Sequence, residues 1–139
     1  MEYKKIDNKF FVRIDPDANV IENLKILCEK ENIKTAAVTG IGSAKFIKLG
    51  FFNPATKQYQ EKDYNGYYEI ANLVGNITEK DGKGFPHIHI TASSEDFKLF
   101  GGHLVEVKVS VTAEIVVELT SGGVKKVLND KLGLSIFTF

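Results

Sequence analysis

All three histidines of the chain fall within 17 consecutive positions of a sequence of 139 residues. His87 and His89 have the spacing of neighbours on one face of a strand, where their Cα atoms lie about 6.5–7 Å apart. Imidazole nitrogens at this separation can converge on one divalent ion, with zinc-to-nitrogen distances of about 2.0–2.1 Å. The pair therefore predicts two ligands of a metal site, and zinc suits them well.

His103 is the candidate for the third ligand. It follows Gly101 and Gly102, and glycines let a backbone approach a neighbouring strand closely. A connection of 13 residues separates it from His89, which is long enough to bring the chain back to the pair. His-x-His is a short pattern that also occurs without metal, so ordinary surface histidines are the alternative interpretation.

Three glutamates in predicted strands, Glu69, Glu106 and Glu114, are candidate partners of these imidazoles. A carboxylate could complete a tetrahedral site or accept a hydrogen bond from a metal-binding imidazole. The lone cysteine, Cys28, lies in an apolar helical pattern and is predicted to be a small buried residue rather than a ligand. One coordination position is therefore expected to stay open to water or a carboxylate, and a nearby glutamate could take a proton from that water.

The elements that must position these residues follow from the periodicity of the apolar side chains. A helix is predicted after a turn at residues 15–17, with Asp17 as its N-cap, from an apolar stripe at three- and four-residue spacing: Val20, Ile21, Leu24, Leu27 and Cys28. Strands are predicted at residues 9–14, 46–52, 58–64, 67–78, 85–92, 104–119 (in two segments) and 133–139. Residues 40–42, with their two glycines, predict a bulge or bend, and residues 124–130 a short helical or irregular piece.

The order of one strand, one helix and then many strands predicts an α+β fold with a mostly antiparallel sheet and one main helix near the N-terminus. A mass of 15.5 kDa suits a single domain over residues 1–139. Apolar residues occupy both faces of the strand at residues 113–119, which one helix cannot cover, and this favours self-association.

Composition limits the classes of function. Lys and Arg total 18, Asp and Glu total 18, and Arg13 is the single arginine, which argues against a dedicated nucleic-acid-binding domain. Lys45, Lys48, Lys125 and Lys126 could still gather into one basic patch in an oligomer. Met1 is not followed by the apolar segment of a signal peptide, no uncharged run could span a bilayer, and a cytoplasmic location without a membrane partner is expected.

Several motifs in the same order resemble the plant and prokaryote conserved (PPC) domain, from about residue 9 to residue 139. They are Gly40-Ile41-Gly42-Ser43, Tyr68-Glu69-Ile70, Leu73-Val74-Gly75-Asn76-Ile77, Pro86-His87-Ile88-His89, Gly101-Gly102-His103-Leu104 and Thr112-Ala113-Glu114-Ile115. The resemblance implies a strongly bent antiparallel sheet in a homotrimer. It also implies a metal-type site at His87, His89 and His103, with Glu69 and Glu114 at the positions of the family's recurrent carboxylates.

Two functional hypotheses follow. The first is a homotrimeric zinc-binding module that serves regulation or scaffolding. The second is a metal-dependent enzyme that acts on a small molecule through the three histidines. Prokaryotic PPC proteins are commonly labelled DNA-binding by analogy, but the AT-hook segment of the plant relatives is not found in this sequence. We therefore expect DNA binding to be weak or indirect at most.

Overall fold

A computed structural model describes residues 1–139, which form one sheet of eight strands and one helix. The elements are β1 (Glu2–Ile6), β2 (Lys9–Ile14), α1 (Val20–Lys30), β3 (Ala36–Asn53), β4 (Gln58–Lys80), β5 (Lys83–Ser93), β6 (Leu99–Leu119), β7 (Lys125–Asn129) and β8 (Leu134–Thr138). The strand order is β1-β2-β6-β3-β4-β7-β8, and β5 pairs with both β4 and β6. Every pairing is antiparallel except the short contact between β4 and β7.

The fold is mostly β, so the predicted α+β class is wrong. Strands hold 68% of the residues and the helix 8%. Two predicted interruptions are absent, because β4 and β6 run unbroken for 23 and 21 residues, with hydrogen-bonded neighbours along their length. Residues 125–129, expected to be helical or irregular, form β7 because they pair with β8. The predicted bulge is confirmed, since the register of β3 against β4 shifts between Gly40 and Gly42.

The N-cap of α1 lies two residues after the predicted one, Asp17. Asn19 is the N-cap, and its side chain accepts hydrogen bonds from the backbone N–H groups of Ile21 and Glu22. Asp17 has a φ of 70° and belongs to the preceding turn. The predicted apolar stripe is confirmed as the buried face of α1, and no helix of the structure has the length and apolar character needed to cross a bilayer.

The hydrophobic core lies between α1 and one face of the sheet. It contains 26 buried apolar residues, in which strand residues alternate with outward-facing neighbours, as Ala113, Ile115 and Val117 do in β6. Cys28 is part of this core, as predicted, and burial raises the pKa of its thiol to about 11. The opposite side of the sheet, called the outer face here, carries exposed apolar side chains such as Phe11, Ile41 and Val74.

Candidate metal centre

Strands β5 and β6 bring the three histidines together on the outer face. His87 and His89 alternate in β5 with the buried Ile88 and Ile90, so both imidazoles point away from the core. The register pairs His89 directly with His103 of β6. Residues paired across antiparallel strands have side chains on the same face, and this register therefore completes the cluster.

The imidazoles are close enough to share an ion. One ligand atom from each of His87, His89 and His103 lies within 4.8 Å of the others, and the ring centroids are 5.1 to 5.4 Å apart. Nδ1 of His103 is buried and has no hydrogen-bond partner. A buried polar atom without a partner is costly, and a metal ion would give this nitrogen a bond. The residues present therefore fit a divalent ion.

Two glycines hold β5 close to its neighbours at this point. A Cβ atom on Gly75 of β4 would lie 2.1 Å from the carbonyl oxygen of His87, and one on Gly101 of β6 would lie 2.3 Å from that of Ile90. Neither distance is possible for a real side chain, so any other residue would push the strands apart. The glycines before His103 were expected to allow such an approach, and Gly101 does so.

Lys126 also belongs to the site, although no pattern in the sequence connects it with the histidines. Its Nζ lies 2.8 Å from Nδ1 of His87, and the residue is only 8% exposed. The ammonium also lies 5.8 Å from the ring centroids of both Phe85 and Phe137. It is 39 residues from His87 in a segment for which no strand was predicted, so spacing gave no signal. A strand prediction for residues 125–129 would have placed Lys126 on one face, opposite to Lys125.

The surroundings of His87 and His103 favour their neutral forms. Burial lowers the pKa of His87 to about 4, with further contributions from Lys126, His103 and His89. Burial also lowers the pKa of His103, helped by His89 and Lys126. The pKa of Lys126 is lowered by burial and by the charge of Lys80. Neutral imidazole is the form that binds metal ions, so the metal-free chain is prepared for one near neutral pH.

The three predicted carboxylate partners lie outside this cluster, which consists of histidines alone. Glu69 lines a cavity of about 500 Å³ together with Ser43 and Thr112. Glu114 lines a larger cavity of about 730 Å³, and Arg13 of β2 lies opposite it in the register. Glu106 is paired in register with Lys48 of β3. The structure thus brings together the three histidines but not the glutamates.

The fold and the cluster define a class of protein: a mostly antiparallel β-sheet with one helix on one face and a candidate three-histidine metal centre on the other. The chain matches the family model of the Plants and Prokaryotes Conserved (PCC) domain over residues 1–121, and it belongs to this family. The family resemblance found in the sequence is thereby confirmed, although the matched region begins and ends earlier than the motifs indicated.

Solved structures with the same fold come from bacteria and archaea. A candidate DNA-binding protein from Bacteroides thetaiotaomicron is 36% identical, with a TM-score of 0.97 over 99% of this chain and 96% of that one. A plant- and prokaryote-conserved protein from Pyrococcus horikoshii is 31% identical, with a TM-score of 0.87 over 99% and 94%. A protein from Archaeoglobus fulgidus described as metal-containing shares the fold at 24% identity, with a TM-score of 0.88 over 100% and 99%. The comparison with curated proteins gave no match.

Proposed function

We propose that this chain is a homotrimeric metal-binding module that holds one divalent ion, zinc, on His87, His89 and His103. The observation that carries the proposal is the convergence of three imidazoles, one of which has a buried Nδ1 without a partner. Neutral imidazoles suit zinc, and three protein ligands leave one position for water or an anion. The bound ion would supply Lewis-acid polarisation at that position.

Metal stoichiometry per chain, measured by elemental analysis on protein purified without a His-tag, tests this proposal. Wild-type protein incubated with zinc should hold about one ion per chain. His89→Ala should lose most of the metal yet keep its circular dichroism spectrum, because His89 is exposed and outside the core. Lys125→Met is the control, because the side chain of Lys125 in β7 is exposed, and this variant should bind zinc like the wild type. No zinc in the wild type, or the wild-type amount of zinc in all three His→Ala variants, would contradict the proposal.

The homotrimer is supported by the outer face, where apolar side chains that one chain leaves exposed could pack against other chains. Phe11 and Ile41 line the cavity of about 730 Å³, together with Val116 of β6. Exposed apolar surface of this kind marks interaction sites. Light scattering should give about three times 15.5 kDa.

A metal-dependent enzyme is the alternative, and the geometry favours it less than a binding module. The general base named from the sequence, Glu69 or Glu114, lines other cavities. No histidine takes part in any of the ion pairs of the chain, so no carboxylate oxygen lies within 4.0 Å of an imidazole nitrogen. Binding of a small molecule at the open position does not require such a base.

We also propose that DNA binding is weak and independent of base sequence. The four lysines of the predicted patch are engaged elsewhere: Lys45 pairs with Asp17, Lys48 lies near Glu61 and Asp63, Lys125 near Glu79, and Lys126 is buried. Lysines that already face carboxylates have little charge to offer to phosphates. A mobility-shift assay near physiological salt should show no complex that survives competitor DNA, and a stable complex with one sequence would contradict this.

A further inference from the structure

Lys126 makes a contact that metal binding at the histidines would remove. Its Nζ donates a hydrogen bond to Nδ1 of His87 over 2.8 Å, which uses the single lone pair of a neutral imidazole. An imidazole that gives its lone pair to an ion through one nitrogen carries its proton on the other. Whichever nitrogen of His87 binds the ion, Nδ1 can no longer accept from an ammonium. Metal binding therefore leaves Lys126 without this acceptor.

No carboxylate lies close enough to Lys126 to replace Nδ1 of His87 as its acceptor. Lys126 is 8% exposed, and it takes part in none of the ion pairs of the chain. Lys80 is a second ammonium nearby, and the two lie over the ring of Phe85 at 5.2 Å for Lys80 and 5.8 Å for Lys126. A divalent ion on three neutral imidazoles would add further positive charge. Partly buried charge of one sign is costly, and an anion would balance it.

The surroundings of this site select the kind of anion. Phe85 and Phe137 lie beside the ammonium, and the ring of Tyr59 lies 5.8 Å from that of His103. The two phenylalanine rings cannot donate hydrogen bonds, so the direct partners assigned here to an anion are the open metal position and Nζ of Lys126, while Lys80 adds positive charge nearby. A carboxylate has two oxygens and matches this number. Phosphate would place additional charged oxygens against aromatic rings, at a desolvation cost.

We propose that the site binds small carboxylates that carry an apolar or aromatic body. One carboxylate oxygen takes the open metal position, the other accepts a hydrogen bond from Lys126, and the apolar body lies against the aromatic rings. This inference rests on the proposed function, because it needs the ion at His87, His89 and His103. It makes Lys126 a ligand-binding residue that is distinct from the metal ligands.

Benzoate and benzamide, which have nearly the same shape but differ in charge, test the inference on the full chain. Cobalt(II) stoichiometry is measured first, and the loaded protein is then titrated with each compound while the visible absorption of cobalt is recorded. Wild-type protein should bind benzoate at least about tenfold more tightly than benzamide. Lys126→Met should weaken benzoate binding by about 10- to 100-fold, the effect of losing one hydrogen bond to a charged group, and should keep its cobalt.

Two further variants separate charge from folding. Lys126→Arg keeps a positive donor and should retain most of the benzoate affinity, while Lys125→Met, on the exposed side of β7, should behave like the wild type. Equal benzoate affinity in wild type and Lys126→Met would overturn the inference. Benzamide binding as tightly as benzoate, or inorganic phosphate binding more tightly, would overturn it as well. All three outcomes leave the proposed metal site intact, whereas wild-type protein that binds no cobalt contradicts both proposals.

Discussion

The two faces of the sheet differ in how completely one chain covers them. The face under α1 is closed by a single cluster of 26 buried apolar residues, in which Leu24 and Leu27 of the helix have no solvent exposure. The outer face has no helix, and large apolar side chains such as Phe11, Ile41 and Val74 remain in contact with solvent. Both faces are rich in apolar residues, so apolar content alone does not distinguish the covered face from the open one.

Buried polar atoms show the same contrast. The four that lack a hydrogen-bond partner belong to Asn76, Thr78, His103 and Thr112. Each is next to a core residue on its strand, as Asn76 and Thr78 are next to Ile77, and this places all four on the outer face. The covered face is therefore complete within one chain, whereas the outer face contains both unpaired polar atoms and uncovered apolar surface. A metal ion would bond to Nδ1 of His103, and neighbouring chains would cover the apolar surface.

The largest effect should come from placing a charge in the open apolar surface. Ile41 is 59% exposed and lines the cavity of about 730 Å³ on the outer face. Ile41→Lys should convert the proposed trimer into monomers, because an ammonium would have to be buried without a partner in the interface. Light scattering at micromolar concentration should show the molar mass falling by about threefold.

Ile26 offers a matched control for this change. It is 53% exposed, but it lies on the solvent side of α1. Ile26→Lys should leave the molar mass unchanged. Dissociation by both variants, or by neither, would show that the outer face has no special part in assembly.

A smaller effect, on stability rather than assembly, is expected at the covered face. Leu24→Ala removes a fully buried side chain from the centre of the core and should lower the free energy of unfolding by about 2–5 kcal/mol. His89→Ala, on the outer face, should cost the metal-free protein less than about 1 kcal/mol. Urea denaturation with chelator present measures both. Comparable losses would mean that the two faces contribute equally to folding.

Features of the fold that depend on local patterns could be predicted from the sequence. The apolar stripe of α1, the bulge near Gly40 and the burial of Cys28 are local patterns, and the structure agrees with all three. The fold class was wrong because a single helix of 11 residues was given too much weight beside the strands, and β4 and β6 were each expected to be interrupted. A polar residue in a long strand does not end the strand when both neighbours continue the hydrogen-bonded ladder.

The candidate site was predictable to the extent that it depends on short spacing. His87 and His89 share a face because they are two residues apart, and His103 returns after a short connection. Lys126 reaches the same place from a strand that no pattern predicted, because β7 is held by pairing with β8 and by one contact with β4. The glutamates lie apart from the site because the register between long strands sets their distance from the histidines, and the sequence does not reveal this register. Glu69 pairs with Ser93 and His89 with Val74, at different levels of the same two strands.

The last prediction concerns one hydroxyl, and the expected change in stability has an unusual sign. Thr78 is 2% exposed, and its Oγ1 has no hydrogen-bond partner, so this chain bears the cost of a desolvated hydroxyl. Thr78→Val replaces the hydroxyl by a methyl group of similar shape and should raise the free energy of unfolding by about 1 kcal/mol. Thr35→Val is the same substitution at a hydroxyl that accepts the backbone N–H of Val124 over 3.2 Å, and it should lower stability by about the same amount. Urea denaturation of the two variants decides the matter. Loss of stability in both would show that Thr78 has a partner on the outer face, and that this face is more complete within one chain than its contacts indicate.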